Sequence, residues 1–376
     1  MTSTNWTLDN PSFGCSGSPA GPPRPKASTH VRAIALAKKT DNLSQLVSLM
    51  HGIGYAAVNA GDYESAATLA DQALELAVRE DNPTNLGLVY TLQVLVRHLR
   101  DLAGAEEHFA RGLKFFEDVA IWPLPLARLT PFGVASWNAW ALGRADLARE
   151  RLARVMAEAN QNNPAEVAWS GCLGAVIYLL LREHERAEIL AARALELSEK
   201  HQMPQFAESS RCFLGQARAW LGRPHESIAL IRQGIAGLAA IRTHLNPTTL
   251  FLAESQALSG AIDDALETIE QVLQSKRLDD NIVRPWAFRL RGKLHMKQGQ
   301  REPAEADFRK ALTLARSMGA KAWELRAATS LAWLLRDTGR RDEAHSMLAE
   351  IYNWFTEGFD TADLKEAKAL LEELAT

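Results

Sequence analysis

Gly61-Asp-Tyr-Glu-Ser-Ala66-Ala-Thr-Leu-Ala-Asp-Gln-Ala73 decides the fold. Its frame is a glycine, a small residue five positions on and a small or mid-sized residue seven further. The frame recurs as Gly143, Ala148, Val155; Gly222, Ser227, Gly234; Gly260, Ala265, Val272; Gly299, Ala304, Ala311; and Gly339, Ala344, Ile351. Two more copies put arginine where the glycine stands: Arg100, Ala105, Gly112 and Arg182, Ala187, Ala194. Across these eight copies the mean period is 39.7 residues. The glycine predicts the end of a helix, because only Gly enters the left-handed conformation without a Cβ penalty, and the small residues predict a second helix packed closely on the first. Seven residues before each punctuation point stand Gly54, Gln93, Ser136, Ala175, Gly215, Ala253, Gly292 and Ala332, where all but Gln93 are small. Asn82-Pro83, Asn163-Pro164 and Met203-Pro204 break the chain between repeats. Each repeat therefore reads as a helical hairpin.

Composition agrees with an array of such hairpins. The 376 residues include 60 Ala and 52 Leu but only 5 Tyr, which disfavours an all-β or doubly wound α/β protein. The predicted class is all-α, an α-α superhelix of about eight hairpins of about 40 residues, elongated or curved in outline. A net charge of -3, from 42 basic and 45 acidic residues, gives no global field toward nucleic acid or acidic lipid. Cys15, Cys172 and Cys212 form no Cys-x-x-Cys pair, which points to a reducing, cytoplasmic setting. No apolar leader opens the chain, and the most apolar run, Gly171 to Leu181, is far too short to span a bilayer. Membrane association is not expected.

The ends are read separately. Residues 1–28 form a Pro-, Gly- and Ser-rich lead expected to stay disordered. The solenoid is assigned to residues 29–357. It is expected to open within a repeat, because Ala33 to Asn42 aligns without gaps on Ala73 to Asn82. Residues 358–376 are assigned as a capping helix, with Asp360 or Thr361 available as its N-cap. An uncapped start and a capped finish suggest a detached C-terminal part of something longer.

Ala60-Gly-Asp-Tyr-Glu-Ser-Ala66 with Ala73 resembles the tetratricopeptide repeat, over roughly Ser28 to Thr356. The period exceeds the family's usual length of about 34 residues, which implies longer helices and linkers. A HEAT or armadillo array would suit the period but not the small-residue frame. Trp323-Glu-Leu-Arg-Ala-Ala-Thr-Ser-Leu-Ala332 and the stretch from Trp354 to Ala367 resemble the tail of a bacterial family. Leu142 to Leu152 and Ile231 to Leu238 fit it too. Its members join a class III adenylate or guanylate cyclase domain, or a winged-helix DNA-binding domain, to a signalling ATPase and then to such an array. Neither a phosphate-binding Gly-x4-Gly-Lys-Ser/Thr loop nor a strand-rich cyclase half occurs here.

No enzyme is expected, and no cofactor or metal. The pairs His184-Glu185 and His225-Glu226 lack the second histidine of a zinc protease helix and read as surface histidines at helix starts. No Gly-x-Ser-x-Gly elbow occurs. Cys172 and Cys212 sit at equivalent places in adjacent repeats, too far apart for a disulfide, and read as small groove-wall residues.

The tryptophans carry the functional reading. In the tetratricopeptide family, offsets of 2, 3, 6, 10 and 13 residues before the punctuation point line the concave groove. Here those offsets hold Trp137, Trp140, Trp169, Trp220, Trp286 and Trp333. The same stripe carries His51, Tyr55, Asn59, Tyr90, Arg97, His98, Gln216 and Glu254. It finishes in a basic end of Arg289, Lys293, Lys297, Arg326 and Arg336. Partly exposed aromatics beside cations suit a protein or peptide partner. The expected role is a non-catalytic interaction or scaffold module, a detached regulatory arm of a bacterial signalling protein, with an upstream-encoded cyclase or ATPase chain among its partners. The alternative is a sensor domain for a small effector. Five basic residues at one end of a neutral groove make nucleic acid a poor fit.

Overall fold

The computed structural model describes residues 42–122, 125–241, 243, 247–275 and 282–375. The lead, Cys15 and the aligned segment up to residue 41 lie outside them. The described residues form seventeen α-helices and one 3-10 turn, with no strand among them. Eight hairpins pair α1 (Leu43–Ala60) with α2 (Tyr63–Glu80), α3 (Pro83–Arg97) with α4 (Leu102–Glu117), and α5 (Pro125–Ala141) with α6 (Ala145–Glu158). Next come α7 (Pro164–Leu180) with α8 (His184–Lys200), α9 (Pro204–Trp220) with α10 (Pro224–Ala240), and α11 (Thr248–Ser259) with α12 (Ile262–Gln274). The last two are α13 (Arg284–Lys297) with α14 (Arg301–Ser317) and α15 (Lys321–Asp337) with α16 (Arg341–Tyr352), followed by α17 (Ala362–Leu374). None of the described helices is long and apolar enough to cross a membrane.

The repeat frame is physical. All six frame glycines take φ between 74° and 88°. Arg182 takes the same conformation at φ 63°, although its Cβ makes that cost about 1–2 kcal/mol. The second frame position, from Ala66 through Ser227 to Ala344, is fully buried in every repeat. There the two helices of a hairpin approach so closely that a Cβ on Gly215 would meet Ile231 Cγ1 at 2.6 Å and the Ser227 carbonyl at 3.1 Å. Gln93, the large exception, is buried but satisfied: it donates to Asp71 Oδ1 at 3.0 Å and accepts from Arg97 Nε at 2.9 Å.

First helices also touch the first helices of adjacent repeats, so α1, α3, α5, α7, α9, α11, α13 and α15 line the inner wall. The array curls until its end meets its middle: α15 packs against α5, and the Trp140 and Trp323 rings lie edge to face at 4.9 Å. The loop before α17 docks on the start of α6. Glu357 Oε1 accepts the backbone N–H groups of Asp146 at 2.9 Å and Leu147 at 3.2 Å. Arg144, the N-cap of α6, supplies no side-chain cap, so a carboxylate from over 200 residues away fills that role at a positive helix end. Gly358 N donates to Asp146 Oδ2 at 3.1 Å, and Arg149 pairs with Asp360 at 2.9 Å. Thr361, not Asp360, caps α17, its hydroxyl accepting from Leu364 N at 3.4 Å.

Candidate functional site

Closure turns the C-terminal half of the concave face into a cavity of about 160 Å³. Helices α7, α9, α11, α13, α15 and α17 all reach it, as do Arg182 in the α7–α8 turn and His184 at the start of α8. Two groups of side chains build it.

The first centres on Glu254, which is 6% exposed. Its Oε1 accepts from Trp286 Nε1 at 2.9 Å, and its Oε2 from Gln216 Nε2 at 2.6 Å and Trp220 Nε1 at 3.2 Å. Three donors leave this carboxylate little capacity for a further cation. Trp286 is buried and stacks on Trp323 at 5.5 Å, while the exposed Trp220 stacks on His184 at 5.4 Å. Burial lowers the His184 imidazole below the ordinary histidine range, with Arg182 adding to the effect.

The second group is charged. Asp363 of α17 takes Arg326 at 2.7 Å and Arg182 at 3.2 Å, and Glu366 takes Arg182 at 2.5 Å. Arg326 also donates to the Leu180 carbonyl, which ties α15 to α7. Burial alone would raise the Asp363 pKa, but Arg326 and Arg182 outweigh it and hold the carboxyl below its usual range. Arg289 and Lys293, one turn apart on α13, form no ion pair with any described residue. The nearest partner of Arg289 is Ser330 Oγ at 3.5 Å, longer than a normal hydrogen bond. Burial, helped by Arg326, lowers Arg289 to about 10. Lys293 is lowered to about 7, first by the Arg289 charge and then by desolvation, although it stays open to the solvent inside the concavity.

Residues 290–318 match the tetratricopeptide repeat. No curated protein matches the chain by sequence. Among solved structures, a Rap protein complexed with competence and sporulation factor is similar at TM-score 0.55 and 10% identity, covering 88% of this chain and 97% of its own. The apo form of RapI is similar at TM-score 0.52 and 13% identity, over 72% and 97%. A human IFIT1 dimer with PPP-AAAA gives TM-score 0.52 and 13% identity, over 93% and 77%. The fold is a tetratricopeptide-repeat solenoid.

Within this solenoid the residues picked from sequence divide. Gln216, Trp220, Glu254, Trp286, Arg289, Lys293 and Arg326 come together in the cavity. Trp140 lies behind its wall, with the Arg326 guanidinium 5.0 Å from its ring. Trp140 and Trp286 are packed rather than partly exposed, because Trp323 wedges against both. The others lie elsewhere. On α1, His51 faces Tyr55 at 6.2 Å, and Asn59 is half-buried. Tyr90 stacks on Phe115, Arg97 pairs with Asp71, and the buried His98 meets Trp137 at 5.1 Å. Trp169 is half-buried beside Gly133, and Lys297 is exposed. Trp333 lies 4.1 Å under Arg336, which pairs with Glu373.

One reading is corrected. His184 is not an ordinary surface histidine, since the tight turn at Arg182 swings it onto Trp220 at the cavity wall; His225 is exposed as expected. Trp323 and Ser330 were not anticipated, though Trp323 extends the tryptophan stripe by one turn beyond Arg326. Cys172 and Cys212 are free and buried, their thiols pushed up to about 12 by burial. No group of three His, Cys, Asp or Glu among the described residues could hold a metal.

Proposed function

We propose that the chain is a non-catalytic recognition module, the regulatory arm of a signalling protein, whose inner cavity receives a peptide segment of a partner. The sequence resemblance favours an upstream-encoded cyclase or ATPase chain as that partner. One observation carries the binding reading. Gln216 Oε1, Arg289 Nε and His184 Nδ1, buried polar atoms with no protein partner, belong to residues that line one cavity. Each such atom costs about 1–3 kcal/mol, so their convergence marks a place where a bound group supplies the missing bonds. Trp220, exposed at the wall, adds the aromatic anchor that recognition surfaces favour. The fold alone names no ligand: one similar structure holds competence and sporulation factor and another PPP-AAAA.

A second reading, a small effector, is favoured by the closure itself. A cavity of about 160 Å³ is comparable with an apolar one of about 150 Å³ that admits benzene. Selection from a display library of random peptides, run beside a thermal-shift screen of small metabolites, separates the two. Peptides are expected to be enriched by the parent chain and lost with Trp220→Ala, whose stability stays within about 1 kcal/mol of the parent because the ring is partly exposed. Hits among metabolites alone would select the second reading. Absence of any ligand from both screens, or unchanged binding by Trp220→Ala, would overturn the cavity as the binding site.

A further inference from the structure

We infer that Arg289 and Lys293 form a subsite for one compact oxyanion, a carboxylate or phosphate group carried by the ligand of the cavity. This rests on the cavity being a binding site and specifies what it binds. The two cations project from one face of α13 into the cavity, which stays open to solvent at Lys293, with a third cation, Arg326, nearby. Every carboxylate lining the cavity is already engaged: Glu254 by Gln216, Trp220 and Trp286, and Asp363 and Glu366 by the arginines of the clasp. Arg289 and Lys293 therefore repel each other with no carboxylate paired to either, the charges of Glu254 and Glu366 acting on them only from a distance, and Arg289 Nε has no acceptor. An oxyanion between them would satisfy both, the guanidinium offering paired N–H donors and the ammonium a third direction.

The surroundings limit what carries the charge. Trp286 lies on the same helix face one turn before Arg289, stacked on Trp323, so a flat apolar wall adjoins the cations. Asp363 and Glu366 oppose them from α17 and would repel a second negative charge. The geometry thus suits a single anionic group on a small apolar body. A peptide chain end and a small carboxylate or phosphate ester share that chemistry.

The occupied and empty states should differ in pH response. Lys293 is faced by Arg289 on its own helix, Glu254 on α11, Arg182 on the α7–α8 turn and Glu366 on α17. Arg326, Asp363 and His184 complete the lining. With its pKa near 7, Lys293 loses its charge as pH rises through neutrality, so a carboxylate should bind more weakly there. Acetate is the suitable probe, because its charge is constant across that range while phosphate passes from monoanion to dianion within it.

The test is calorimetry and thermal shift on the full chain with acetate, inorganic phosphate, and peptides selected on the cavity, each peptide prepared with a free C-terminal carboxylate and as the amide. Chloride at matched ionic strength is the control. Acetate and phosphate should raise Tm above chloride. Lys293→Gln and Arg289→Gln should each bind about tenfold more weakly, the loss of one charge-assisted contact. Lys293→Gln should also lose the pH dependence and melt no lower than the parent when unliganded, since it removes one of two repelling cations. Lys297→Gln, outside the cavity, should match the parent. Tighter binding of free-carboxylate peptides identifies a chain end as the source; equal binding of both forms, with phosphate or acetate still competing, identifies an effector or side-chain anion. If neither anion exceeds chloride, or both glutamine variants bind as the parent does, the subsite is wrong. If amide peptides bind and are lost with Trp220→Ala while the glutamine variants change nothing, the cavity reading survives without it.

Discussion

Deleting residues 359–376 is expected to lower the melting temperature further than removing the Pro-, Gly- and Ser-rich stretch Met1 to Ala27. Helix α17 buries Leu364, Leu370 and Leu374 against α15 and α16. Full burial of three leucines is worth about 5–9 kcal/mol, part of it offset by the entropy of ordering the helix. The deletion also strips Asp363 from Arg326, whose side chain is only 10% exposed. Thermal denaturation followed by circular dichroism should show a clear drop, and the truncated chain should lose cavity ligands along with its α17 wall. The opening stretch has a composition that buries little apolar area, so its removal should leave the midpoint nearly unchanged. Equal losses from the two deletions would contradict the assignment of the ends.

Asp363→Ala should be the most damaging single change among the charged residues, at about 3–5 kcal/mol, because it leaves a buried arginine without its partner. The conservative Asp363→Asn should recover little, since the charge is what Arg326 and Arg182 require. The pH dependence has a definite sign. The folded-state pKa of Asp363 is depressed, so its contribution is present above the unfolded carboxylate value of about 3.9 and is lost as pH falls through the lower folded value. Urea titrations at falling pH should therefore show the parent losing stability toward Asp363→Ala in acid, and the two curves converging. A gap that persists in acid would show that Asp363 acts through packing rather than charge.

The hairpins were legible because their cause is local. A left-handed glycine and a residue without bulk at a helix contact leave their mark at fixed spacing, and Gly61 with Ala66 fixes a geometry that Gly339 with Ala344 repeats. The arginine at position 182 is legible as a defect in that spacing. Its structural role becomes clear only once Asp363 and Glu366 stand beside it. The stripe of first-helix residues found seven cavity residues, since 3.6-residue periodicity places them on the inner wall. At the N-terminal repeats the same stripe lies outside the cavity, with His98 against Trp137 and Tyr90 stacked on Phe115.

Closure was not legible. A repeat reading predicts contacts only between neighbours, whereas Glu357 on α6 and Arg326 on the Leu180 carbonyl join segments more than a hundred residues apart. No spacing rule encodes such pairs. Closure in turn decides which stripe residues enclose space and which merely line a wall.

The closed ring is therefore the central claim, and one cross-link tests it. A Cβ placed on Gly358 falls 2.9 Å from Ala145 Cβ, close to the spacing of about 3.5–4.5 Å that a disulfide needs, and the left-handed φ of 74° at Gly358 adds a cost of about 1–2 kcal/mol for a cysteine that the bond must offset. In a chain with Cys15→Ser, the pair Ala145→Cys and Gly358→Cys should form an intramolecular disulfide on mild oxidation, detected by mass spectrometry after alkylation, with Cys172 and Cys212 still reduced. Recovery of both engineered residues as alkylated thiols from the native, oxidised chain would show that the C-terminal end does not dock on α6 and that the cavity is not enclosed.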